Sequence, residues 1–149
     1  MTIAVIGAGK CEQKIYDLAR DAGRALAQRG HRVICGGLGG VMEAVCRGVR
    51  EAGGTSIGIL PGNDPGEANA YVDIPIATGM GIGRNIIIVR SAEVILAING
   101  SYGTLSEIAY ALQLGKPVIG LQTWEVSESI IRVDQVADAM DAIGKLEVE

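Results

Sequence analysis

The segment Glu93-Val94-Ile95-Leu96-Ala97-Ile98-Asn99-Gly100-Ser101-Tyr102-Gly103-Thr104 decides the fold. Its apolar run is continuous rather than alternating, which reads as a strand buried on both faces, the signature of a parallel sheet. The glycine-bearing turn at 99–103 leads into a helical pattern at Leu105, Ile108, Ala109 and Leu112, and Gly115 and Pro117 supply its stop signals. A second apolar run, Pro117-Val118-Ile119-Gly120-Leu121, follows at once. Strand, turn, helix and strand in that order make a right-handed crossover unit.

The same grammar recurs outward from this unit. Apolar runs occupy 2–6, 32–35, 55–60 and 72–76, besides 93–98 and 117–121. Between them, Ile15, Leu18, Ala22 and Leu26 mark one helix, and Met42, Val45 and Val49 a second. A third is expected around 82–91, and a last one over about 128–143 carries Ile130, Val133, Val136 and Met140. The order β-α-β-α-β-β-α-β-α-β-α predicts an α/β fold with a doubly wound, mainly parallel, Rossmann-like sheet and helices on both faces. Residues 1–149 read as one domain, since no linker, repeat or low-complexity stretch interrupts them. The irregular stretch 61–70 reads either as a lid or as a surface crossover.

Composition narrows the function. The chain has 48% hydrophobic and 20% charged residues, as a folded globular protein does. A net charge of −4 without a basic cluster argues against a general nucleic-acid binder. Cys11, Cys35 and Cys46 have no zinc spacing, and their odd number suits a reducing, cytoplasmic compartment. The apolar opening at 2–6 is too short for a membrane span, so no membrane partner is expected. Glycine is the outlier, at 22 of 149 residues, about twice the usual 7%.

Those glycines gather where strands hand over to helices. Gly7-Ala8-Gly9-Lys10 follows the first strand, and Gly36-Gly37-Leu38-Gly39-Gly40 follows the second and leads into Met42 and Glu43. The third turn is Asn99 to Thr104, with Gly100, Ser101 and Gly103. Each offers unpaired amides and the positive end of a helix dipole, a combination that favours phosphate. The dinucleotide pattern fails because Glu12 stands where its third glycine belongs, and no phosphate-loop G-x-x-x-x-G-K-[ST] exists. No G-x-S-x-G exists either, and the single histidine, His31, lies away from the turns, which argues against a Ser-His-Asp triad.

Two charged residues stand out. Arg84 begins the third helix, where a cation opposes the dipole unless an anion offsets it. It is either a phosphate ligand or a surface residue paired with a carboxylate. Glu107 follows Thr104 by three residues, the spacing of a capping box. It either caps its own helix or faces a ligand.

Gly36-Gly37-x-x-Gly40-Val41-Met42, Arg84-Asn85 and Gly100-Ser101-Tyr102-Gly103-Thr104-Leu105-Ser106-Glu107 together resemble the LONELY GUY superfamily. It includes cytokinin-activating phosphoribohydrolases, proteins often mislabelled lysine decarboxylases, and molybdenum cofactor carrier proteins. The sequence departs from the enzymes' P-G-G-x-G-T-x-x-E pattern at Asn99-Gly100-Ser101, and from their Arg-Lys pair at Arg84-Asn85. The continuation Glu107 to Val118 is closer to the carrier branch.

The glycine turn with Gly7 and Gly9, together with the resemblance, points to a ligand site built from Gly7, Gly9, Gly36, Gly37, Gly40, Met42, Arg84, Asn85, Gly100, Ser101, Gly103, Thr104 and Glu107. The resemblance implies binding of a phosphate-bearing small molecule, a nucleotide or molybdenum cofactor, with no other cofactor or metal required. The alternative is a phosphoribohydrolase that cleaves the N-glycosidic bond of a nucleoside 5′-monophosphate, with Arg84 and Glu107 catalytic. A third reading is an interaction module with a vestigial site. A homodimer or homotetramer is also implied, and the apolar residues around 86–89 and 108–114 suit a subunit contact. Tyr102, Tyr110 and Met42 read either as core or as flanking the ligand.

Overall fold

A computed structural model describes residues 1–149 as one seven-stranded, all-parallel sheet. The strands are β1 (Thr2–Gly7), β2 (Arg32–Cys35), β3 (Ser56–Leu60), β4 (Ile74–Ala77), β5 (Val94–Ile98), β6 (Val118–Leu121) and β7 (Ile131–Val133). Their spatial order is β4-β3-β2-β1-β5-β6-β7. The helices are α1 (Gln13–Gln28), α2 (Val41–Glu51), α3 (Asn85–Ser91), α4 (Tyr102–Gln113) and α5 (Val136–Glu147). The α/β doubly wound architecture read from the sequence is therefore the one observed.

The continuous apolar runs are buried on both faces because successive side chains point to opposite sides of the sheet. Ile3 and Val5 of β1, with Leu96 and Ile98 of β5, pack under α1, α2 and α5. Ala4 and Ile6, with Ile95 and Ala97, pack under α3 and α4. Where α1 crosses α2 the backbones meet directly: a side chain at Gly23 would collide with Val45 O, and one at Gly48 with Arg20 O.

Two expectations need correction, and a third, left open between two readings, is resolved. β7 lies inside the stretch expected to be helical from 128, and α5 starts only at Val136. Ile130, Val133, Val136 and Met140 fit a helical period, but Ile131–Val133 pair with β6 instead, in register Ile119↔Ile131 to Leu121↔Val133. A three-residue edge strand is too short to impose its own period on the sequence. Second, the expected third helix is split, with a tight 3-10 turn at Gly81–Arg84 before α3. Third, the 61–70 stretch is tied down. It contains a 3-10 turn at Pro65–Glu67, and Asn69 donates from its amide to Gly37 O at 2.9 Å and from Nδ2 to Leu38 O at 2.9 Å. It is a crossover anchored to the second glycine turn. No helix is long and apolar enough to cross a membrane.

Candidate ligand-binding site

β1 and β5 are sheet neighbours, and the chain winds outward from them in opposite directions. In an open parallel sheet this reversal leaves a crevice at the carboxyl ends of the strands. A cavity of about 140 Å³ lies there. Gly7 reaches it from the end of β1 and Gly9 from the turn that follows, Gly36 from the turn after β2, Met42 from the start of α2, and Ser101, Gly103 and Thr104 from the start of α4. Arg84 and Asn85 enter from the junction with α3, and Glu107 from the second turn of α4. Three turn regions, from Gly7 to Thr104, thus share one rim although up to 97 positions separate their residues.

Gly37, Gly40 and Gly100 do not line the cavity. Gly40 has φ +60°, and a side chain there would strike Ala8 O, so it is needed to bring α2 against the first turn. Gly9 and Gly103 differ. A methyl group at Gly9 would meet only Met42 Cε, at 3.8 Å, and one at Gly103 only Asn85 Nδ2, at 4.0 Å. Neither glycine has a positive φ, so the backbone would accept alanine at both. Their missing side chains keep the cavity open.

Ser101, which stands where the resembled enzymes have glycine, is not strained. It has φ −115° and ψ −151°, extended backbone open to any residue. The positive φ values fall on Asn99, 52°, and Gly100, 118°. Asn99 is held by its own Oδ1, which accepts from the Gly100 amide at 2.7 Å.

Ser101 is also the N-cap of α4 and gives no side-chain cap, so the first amides of the helix have no helical partner. Thr104 is the third helical residue rather than the cap, which excludes the capping box with Glu107. The Thr104 hydroxyl is buried with no hydrogen-bond partner.

Arg84 is buried, at 8% exposure, so it is not a surface residue. Nε donates to Ile59 O at 2.8 Å and Nη2 to Gly36 O at 3.4 Å, while Nη1 donates to Asn85 Oδ1. Two of its five N–H groups remain free. Burial lowers its pKa, and the nearby Glu107 and Cys35 work against that, but a guanidinium stays charged in proteins. Glu107 is 7% exposed and receives no hydrogen bond from the protein. Burial pushes its carboxyl up to about 8, against the pull of Arg84. Glu107 and Arg84 do not form an ion pair within 4.0 Å. The cavity therefore sets the Arg84 guanidinium beside a carboxyl whose burial favours its protonated form.

Sequence reasoning missed Val5, Ile6 and Ile82 among the lining residues. Ile82 is 85% exposed, and its only sequence signal was a large apolar residue set between two glycines. Tyr102 and Tyr110 are not core residues, being 82% and 40% exposed. His31 is buried before β2, with Nδ1 3.4 Å from the Met1 amino group, at the opposite edge of the sheet.

Residues 1–146 match the SLOG cluster4 family. The chain belongs to the SLOG cluster4 family. It is 46% identical over 130 residues to an uncharacterised protein of Archaeoglobus fulgidus, covering 87% of this chain and 85% of that one. The molybdenum cofactor carrier protein of Chlamydomonas reinhardtii superposes with a TM-score of 0.90 and 34% identity, over 99% of this chain and 98% of that one. The molybdenum cofactor binding protein of Rippkaea orientalis superposes at 0.89 and 30% identity, over 97% and 94%. These matches agree with the resemblance carried by Arg84 and the stretch from Gly100 to Glu107, and with its carrier branch. DNA processing protein A of Helicobacter pylori shares the fold, at a TM-score of 0.75 and 14% identity, over 97% and 80%.

Proposed function

We propose that this SLOG cluster4 protein binds a phosphate-bearing small molecule, of the nucleotide or molybdenum-cofactor kind, with the phosphate in the cavity at the β1/β5 crevice. The observation that carries the reading is Arg84: a buried guanidinium in the cavity, with no ion-pair partner and two donors to spare. A cation left so far from water needs an anion, and the planar fork suits a phosphate. The amides at the start of α4, and the bare glycines Gly9 and Gly103, complete the cradle. Two structural relatives at 30% and 34% identity carry names that state molybdenum cofactor as the ligand. A cavity of about 140 Å³ takes a phosphate but not a whole pterin or nucleotide, for which pockets of roughly 300–1,000 Å³ are usual. The rest of such a ligand lies along the rim.

Thermal shift against AMP, FMN, ribose 5-phosphate and inorganic phosphate tests this. A ligand at a hundred times its dissociation constant stabilises by about 2.7 kcal/mol, readily seen as a rise in Tm. A shift that persists in Arg84→Lys removes the role given to Arg84.

A second reading rests on Glu107. A protonated carboxyl in the cavity, free of protein partners, is what a general acid requires, and once ionised it would stabilise a ribosyl cation. The hydrolase reading predicts free base when the protein is incubated with AMP, and loss of that release in Glu107→Gln. Binding without cleavage is the preferred reading, because the similar structures at 30% and 34% identity are named as a molybdenum cofactor binding protein and a molybdenum cofactor carrier protein. The α4 surface carrying Tyr110 and Leu114, 40% and 39% exposed, is proposed as a subunit contact of a homodimer or homotetramer. Light scattering of the purified protein tests it.

A further inference from the structure

We propose that Tyr102, backed by Trp124, is a stacking ledge for a planar ring, so that the ligand is the phosphate ester of a ring compound such as a nucleotide or a pterin. This rests on the cavity being a phosphate site. Ser101 and Gly103 both line that cavity; Tyr102, between them in the chain at the first turn of α4, lies outside the lining. Its ring is 82% exposed, in a chain that contains no phenylalanine and few other aromatics.

The ring is nevertheless held in place. It stacks on Trp124 with centroids 6.2 Å apart and planes 26° from parallel. Trp124 is the single tryptophan; it packs against the core beneath α3 and α4, and its Nε1 donates to Ser101 O at 3.0 Å. The pair is thus fastened to the cavity rim through the residue next to Tyr102. The tyrosine is stacked on Trp124 while the residue as a whole stays 82% exposed. Ile82, 85% exposed, adds a second bare apolar side chain to the same rim. A cavity that admits only the phosphate leaves the rest of the ligand outside it, where an anchored aromatic face offers stacking to any planar ring.

Isothermal calorimetry with AMP, FMN and ribose 5-phosphate tests this, with light scattering run on each variant. The ring-bearing esters are expected to bind about tenfold or more tightly than ribose 5-phosphate, the range that stacking on one aromatic side chain supports. Tyr102→Ala should remove that advantage while sparing ribose 5-phosphate, and Tyr102→Phe should keep it. Trp124 fluorescence should change with AMP or FMN and stay constant with ribose 5-phosphate. Equal affinity of ring-bearing and ring-free esters overturns the ledge while leaving the phosphate site standing, as does an equal loss for all ligands in Tyr102→Ala. A change of mass in Tyr102→Ala assigns the residue to a subunit contact and also overturns the ledge. Absence of binding by every phosphate compound overturns the phosphate site itself.

Discussion

The Arg84 guanidinium and the Glu107 carboxyl, both largely buried, line one cavity without forming an ion pair. Twenty-three positions separate them in the chain, and they arrive from different elements, the α3 junction and the second turn of α4. Arg84 is committed instead to Ile59 O, Gly36 O and Asn85 Oδ1. It therefore fastens the β2 and β3 ends of the rim together while keeping charge in the cavity.

Replacing Arg84 has two separable consequences. Arg84→Ala leaves the carbonyls of Ile59 and Gly36 unpaired in a buried place, a loss of about 1–3 kcal/mol for each such group. Arg84→Lys keeps the charge but cannot reach three acceptors in a planar fork. Urea unfolding should show Arg84→Ala as clearly less stable, and calorimetry should show both variants losing most of their affinity for ribose 5-phosphate.

Glu107 makes stability depend on pH in a definite direction. Its carboxyl titrates near 8 in the fold and near 4.5 when exposed, so between those values the folded state holds the extra proton. Stability from this group is fully present below about pH 4.5, falls as pH rises and levels off above about pH 8. The loss is on the order of 3–5 kcal/mol at most. Glu107→Gln, neutral throughout, should lack it. Unfolding at pH 5, 7 and 9 should show the variant gaining on the natural protein only as pH rises.

The same titration acts on the ligand. An ionised Glu107 beside a phosphate repels it, so affinity for ribose 5-phosphate should weaken above about pH 8, and Glu107→Gln should flatten that fall. Calorimetry at pH 7 and 9 checks this.

Gly103 and Gly40 should respond oppositely to alanine. Gly103 lies in the first turn of α4 with room for a methyl group, so Gly103→Ala should keep or raise stability by about 0.5–1 kcal/mol while closing the cavity to phosphate. Gly40→Ala must carry a Cβ at φ +60° into Ala8 O and should be destabilised by a kcal/mol or more. Equal loss of stability in both variants would remove the argument that Gly103 is bare for the ligand's sake.

Thr104 gives a cleaner probe. Its hydroxyl is buried with no partner, so Thr104→Val removes an unsatisfied group at nearly constant shape. Tm should hold or rise. A simultaneous loss of phosphate affinity would assign the hydroxyl to the ligand, and unchanged affinity would assign Thr104 to packing alone.

What the sequence determined by itself was everything carried by short-range pattern. Unbroken apolar runs such as 94–98 announced strands covered on both faces, and glycines at strand ends announced turns that could meet an anion, because side-chain period and backbone freedom are local properties. Local pattern failed at Ile131–Val133, whose strand exists only because β6 lies beside it. It also left Glu107 undecided between a cap and a ligand, and gave no sign that Arg84 was buried. Those answers depend on which way α4 is rotated against the sheet and on carbonyls from Gly36 and Ile59 reaching one guanidinium. Only the tertiary structure could fix them, since burial and charge pairing belong to groups far apart in the chain and close in space.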